Sequence, residues 1–250
     1  MRKPTRNYIR VINDFINLQS PFDIEILGSV HYGDTCYPFI SLHTHSKLAK
    51  YNVVINSGAH GTESIGVRVI LRFLQEFNKE LLSYYNFTVF PIVNPFGYRY
   101  ACRKTGDNKY GNTGFNQAKE ENITPESNLI KEAISNKIDL FIDVHADAKT
   151  GFYVYERKRP DKKSLAEDSL QVLVKNKIPV LGTDTVYGEK CVNGVIVTPI
   201  RDSSMDHAMF TRGAMYSLCV EIPSKIHEDQ QMVGGLLLIN EMLSKFKEMK

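Results

Sequence analysis

Short apolar segments that end abruptly in polar side chains alternate along this chain with longer stretches of helical period. That alternation points to a layered α/β architecture. Residues 52–56, 138–144 and 216–222 read as strands, with further strands expected at 23–27, 37–42, 87–93 and 152–155. Helices are expected at 7–18, where Tyr8, Val11, Ile12, Phe15 and Ile16 share one face, and from a Thr62 cap to about residue 82. Three more are expected near 126–136, 164–176 and 230–246. Two glycine-bearing or irregular stretches, 96–125 and 182–204, read as long loops, a length that is often functional. The expected fold is a single α/β domain over residues 1–250, a mixed, mostly parallel twisted sheet with helices on both faces in an α/β/α sandwich.

Composition narrows the function classes. The 250 residues are 42% hydrophobic and 10% aromatic, too apolar for a disordered chain, yet no apolar run is long enough to span a membrane. The net charge of +3, from 31 basic and 28 acidic residues, argues against a nucleic-acid partner or an anionic membrane surface. Arg2, Lys3, Arg6 and Arg10 precede Asp14 and Asn17 rather than an apolar run, so no secretion signal is read. Cys36, Cys102, Cys191 and Cys219 are scattered without a CxxC pair, as expected of reduced thiols in a cytoplasmic protein.

Three strand ends carry the residues suited to chemistry. His60 and Glu63 bracket the turn after the strand at 52–56, where an imidazole and a carboxylate can converge on one ion, and N and O donors suit zinc. On the strand at 138–144 and just beyond it, Asp143, His145 and Asp147 share a face by period 2. His145 can supply a third donor, and Asp143 can orient an imidazole from behind. Glu221 closes the apolar strand at 216–220, where a carboxylate is costly unless it is paired or its proton affinity is used, which makes it a candidate general base.

The order of these motifs resembles the zinc metallocarboxypeptidases: His60-Gly-Thr-Glu63, Asn94-Pro-Phe-Gly97, Asp143-Val-His145 and Val220-Glu-Ile-Pro223, preceded by a hairpin at 28–33. The resemblance covers roughly residues 20–225. It implies a zinc carboxypeptidase-like domain with one zinc ion held by His60, Glu63 and His145, a general base at Glu221, and Arg103 beside the developing oxyanion. It also implies a small peptide substrate, with Asn116 in the substrate site.

The chain departs from that pattern where the family grips a terminal carboxylate. Gln117 stands in place of an arginine and Gly114 in place of an aspartate. A neutral amide lacks the charge-assisted fork of a guanidinium, so Arg99 and Arg201 are the candidates for that role. The family's substrate-binding tyrosine is also missing, and Tyr187 is its possible substitute. The same metal motifs suit an N-acyl amino acid deacylase of the succinylglutamate desuccinylase and aspartoacylase type, whose substrate is an acyl-amino acid. A non-catalytic binding protein on this fold is a third reading.

Overall fold

The structure, a computed structural model, describes residues 3–116, 120–134, 137–198 and 202–248. The chain opens with helix α1 (Tyr8–Ile16), then the hairpin of β1 (Asp23–Tyr32) and β2 (Thr35–His43), and then β3 (Tyr51–Ser57). Helix α2 (Ser64–Gln75) and a 3-10 turn (Lys79–Ser83) lead to β4 (Tyr85–Phe90) and the short α3 (Pro95–Tyr100). Helix α4 (Pro125–Ala133) precedes β5 (Leu140–Asp147) and β6 (Tyr153–Lys158). Next come α5 (Leu165–Lys175), the two-residue strands β7 (Thr185–Val186) and β8 (Glu189–Lys190), and β9 (Val195–Val197). Helix α6 (Met205–Thr211), β10 (Tyr216–Pro223) and α7 (Glu228–Glu248) complete the chain.

The main sheet has eight strands in the order β1-β2-β4-β3-β5-β10-β6-β9. Its centre, β4-β3-β5-β10, is parallel, while β1, β2 and β6 join by antiparallel pairing. The expected mixed, mostly parallel α/β sheet is therefore what forms. Strand period decides what lies above and below it. Val53, Ile55, Leu140, Ile142, Val144, Leu218 and Val220 face a core filled by Phe15, Val69, Phe73, Leu170 and Leu243 from α1, α2, α5 and α7. On the other face Val54 and Phe141 pack with Ile130, Met205 and Met209 from α4 and α6. Among the described residues no helix is long and apolar enough to cross a membrane, and all four cysteines are free.

Several boundaries differ from the sequence expectation. Helix α2 stops at Gln75, and Asn78 caps a separate 3-10 turn through its side chain, so no single helix reaches residue 82. The stretch 96–125 is not wholly irregular: Asn94 caps α3 by accepting from the Gly97 amide at 2.7 Å, with Pro95 in its first turn. Nor is 182–204, which holds the β7–β8 hairpin and β9, while α6 follows it with Ser204 as its cap.

Candidate metal centre and active site

One sheet face collects the polar residues. While β3 sends Val53 and Ile55, and β5 and β10 their even-numbered residues, into the α2–α7 side, the alternate positions Asn56, Asp143, His145, Asp147, Cys219 and Glu221 face the opposite way. The three strands are parallel neighbours, so their carboxyl ends lie together, where open α/β sheets build sites. Register then fixes who meets whom: Glu221 pairs with His145 across β10 and β5, and Asn56 pairs with Asp143 across β3 and β5.

His60 arrives from the turn after β3, which closes tightly as the Glu63 amide donates to the His60 carbonyl at 3.0 Å. Gly61 is required there, because a Cβ at this position would lie 1.8 Å from the Gly97 carbonyl carbon of α3. Thr62 is not the helix cap. Glu63 occupies the cap position, makes no capping hydrogen bond, and turns its carboxylate to the histidines instead. Asn94 reinforces this loop, its Nδ2 donating to the carbonyls of Ala59 and Arg103 at 3.4 and 3.3 Å.

The three expected ligands meet. His60 Nδ1 lies 2.8 Å from Glu63 Oε1, His145 Nδ1 lies 2.9 Å from Glu63 Oε2, and the two Nδ1 atoms are 3.2 Å apart. All three residues are buried, and their ligand atoms lie within 4.8 Å of one another. The donor set fits a zinc ion: two imidazole nitrogens and a carboxylate converge on one point, and facing nitrogens at this distance need a proton or a cation between them. Behind His145, Nε2 lies 3.0 Å from Asp143 Oδ2, and Asn56 donates to Asp143 Oδ1 at 2.8 Å. This buried carboxylate fixes which imidazole nitrogen faces the centre.

The electrostatics follow from burial and pairing. Burial pushes the Glu63 carboxyl up, but His145 and His60 more than offset it and hold it well below the usual range. Burial lowers His60, whereas Asp143 and Glu63 overcome the same effect at His145 and raise it. Glu221 is pushed up to about 8 by burial, opposed by His145 and reinforced by Glu63 and Asp147. Its Oε2 is buried with no hydrogen-bond partner, and Oε1 lies 3.9 Å from Cys219 Sγ.

A cavity of about 350 Å³ opens beside these residues. Arg103 lines it, exposed, with Nη1 3.1 Å from Glu63 Oε1. Its far wall is β6, whose alternate residues Tyr153, Tyr155 and Arg157 pair with Glu221, Cys219 and Ser217. In sequence, Arg157 belongs to a basic run, Arg157-Lys158-Arg159, that reads as a solvated face. It is instead buried in this wall, its Nε donating to Asp206 of α6 at 2.7 Å. The period-2 spacing of Tyr153, Tyr155 and Arg157 is the sequence signal that places it there. Tyr187, at the tip of the β7–β8 hairpin with φ of 50°, reaches over the cavity to donate to Asp147 at 2.8 Å.

The structure places two of the substrate-site candidates away from this cavity. Arg99 does not reach this cavity; it lies in a different cleft, beside Tyr37 and Tyr100. The reason is local: Ala101 ends α3 in the left-handed conformation, φ 47°, so the chain turns sharply between Arg99 and Arg103. Asn116 is turned to α6, where its Nδ2 donates to Thr211 Oγ1 at 3.1 Å, and Asn112 lines the cavity in its place. Arg201 and Gln117 lie outside the described residues.

Comparison with known proteins gives a partial family match and a shared fold. Residues 38–122 match the zinc carboxypeptidase family. A candidate metallopeptidase of Shewanella amazonensis SB2B superposes with a TM-score of 0.79 at 22% identity, covering 96% of this chain and 92% of that one. The metallo-carboxypeptidase of Pseudomonas aeruginosa, solved with (2-guanidinoethylmercapto)succinic acid, superposes with a TM-score of 0.69 at 14% identity, covering 97% and 69%. No curated protein matches the chain. The protein is thus of the zinc metallocarboxypeptidase type in fold, as its motifs imply.

Proposed function

We propose that this chain is a zinc-dependent hydrolase that cleaves an amide bond near the end of a small peptide in the cytoplasm. The observation that carries the reading is the convergence of His60, Glu63 and His145 with Glu221 in register beside His145. His60, Glu63 and His145 would hold the zinc ion, one per chain. When bound, zinc supplies Lewis acidity to the scissile carbonyl and to the attacking water.

The remaining work falls to the chain's own side chains. Glu221, buried and without a partner on Oε2, takes the proton of the attacking water as its oxygen bonds to the carbonyl carbon. As the C–N bond breaks, Glu221 returns that proton to the leaving nitrogen. Arg103 stands at the cavity mouth, where its guanidinium can stabilise negative charge developing on the carbonyl oxygen.

Elemental mass spectrometry tests the centre. About one zinc per wild-type chain and almost none in a His60→Ala, His145→Ala double variant is expected. A Glu221→Gln variant that keeps its zinc and loses turnover on a panel of peptides and acyl-amino acids supports the catalytic reading and identifies the substrate class. Full activity in that variant overturns it, and equal metal in wild type and double variant overturns the centre.

A further inference from the structure

We propose that the cleft between the N-terminal segment and the end of α3 is a second binding site, for a phosphate group. It has a volume of about 480 Å³ and shares no lining residue with the catalytic cavity. Three independent features make it a site for an oxyanion.

The first is its charge. Arg6 and Arg99 line the cleft, and no carboxylate does. Arg99 is half-buried, lies over the rings of Tyr37 and Tyr100 at 5.9 and 5.4 Å, and has no ion-pair partner among the described residues. Its fork of N–H donors has the geometry that binds phosphate in two-point fashion.

The second is an orphaned hydroxyl. Tyr37 is 1% exposed and lines the cleft, and its hydroxyl is buried without a hydrogen bond of proper geometry. Arg99 and Tyr100 nonetheless stand close enough to act on its ionisation. A buried hydroxyl without a well-formed hydrogen bond is costly, and an oxyanion seated against Arg99 supplies a better acceptor.

The third is the start of α1. Asn7 caps this nine-residue helix by accepting from the Arg10 amide, and the amides of the first turn before it have no partner within the helix. Asn7, Tyr8 and Ile9 all line the cleft, so the helix presents its positive end to it. A guanidinium, a phenol and a helix terminus thus line one cleft, which suits a tetrahedral anion with several oxygens. The volume leaves room for a small organic group attached to it.

The test is calorimetric titration of the full chain with inorganic phosphate and, separately, methyl phosphate, against chloride at constant ionic strength. The His60→Ala, His145→Ala double variant serves as a control that sets binding at the metal centre aside. Saturable binding is expected in wild type and double variant alike, weakened about tenfold or more by Arg99→Met, because a hydrogen bond to a charged group is lost. Tyr37→Phe, which removes one oxygen and no packing, should weaken it about fivefold. Tighter binding of methyl phosphate than of inorganic phosphate would assign the site to an organic phosphate, and the reverse to the free ion. Absence of saturation below about 10 mM in wild type, or equal affinity in wild type and both single variants, overturns the proposal.

Discussion

Arg6 Nη1 lies 2.5 Å from the carbonyl oxygen of Gly61, in the middle of the His60–Glu63 turn. The same nitrogen donates to the carbonyl of Tyr98 at 3.2 Å, and the guanidinium lies 5.3 Å from the Tyr98 ring centroid. The N-terminal segment therefore ties the proposed metal turn to α3. Arg6→Ala should lower zinc affinity about tenfold, the lower end of the range for groups that orient metal ligands indirectly. Competition with a chelator of known zinc affinity measures this. An unchanged affinity would show that packing alone holds the turn.

Asn56 should matter for a related reason. It donates to Asp143, which in turn holds His145, and all three are buried. Asn56→Ala leaves the Asp143 carboxylate short of a donor in the sheet. Zinc affinity is expected to fall about 10- to 100-fold with little change in secondary structure. The same competition assay, with circular dichroism beside it, decides the matter.

Stability should vary with pH through Glu126, which does not line the catalytic cavity. Burial pushes this carboxyl up from 4.5 to about 7, although Tyr32 donates to both of its oxygens at 3.0 Å. The folded chain thus keeps a proton that the unfolded chain releases, so stability falls as pH rises from about 4.5 through 7. The loss is at most about 3 kcal/mol. Glu126→Gln carries no such proton and should be more stable relative to wild type at pH 8 than at pH 5. Urea unfolding at the two pH values gives the comparison, and parallel curves would refute it.

Gly61→Ala probes the backbone contact itself. The added methyl would sit 1.8 Å from the Gly97 carbonyl carbon, and backbone cannot rotate away as a side chain can. A cost on the order of 3 kcal/mol is expected, together with loss of zinc. Thermal unfolding of the metal-free protein isolates the stability part. A variant within about 1 kcal/mol of wild type would mean that the two segments can separate.

The sheet and the ligand cluster were legible because each rests on local patterns. The strands β3, β5 and β10 are apolar runs with polar ends, and two of the three proposed ligands fall within one turn. What was not legible depended on tertiary placement. Arg99 and Arg103 are near in sequence, but the left-handed Ala101 sends them to different clefts. Thr62 obeys capping preference on paper, yet the turn that brings Glu63 to the histidines takes the cap position away from it. Arg157 sits in a basic run that reads as solvated, and tertiary partners, its strand neighbour Ser217 and the helix carrying Asp206 among them, bury it.

The approach of Gly61 to Gly97 has a parallel at Gly111, where a Cβ would stand 2.4 Å from the carbonyl oxygen of Ala59. Main chain therefore rests on main chain at two points around the proposed metal turn, while β6, α6 and the β7–β8 hairpin furnish the cavity's other walls. Those walls are lined by side chains, so directed evolution can recut them while the main-chain packing around the proposed metal turn is kept. A library that varies Tyr155, Tyr187 and Asp202 can therefore explore new substrates around the proposed metal turn.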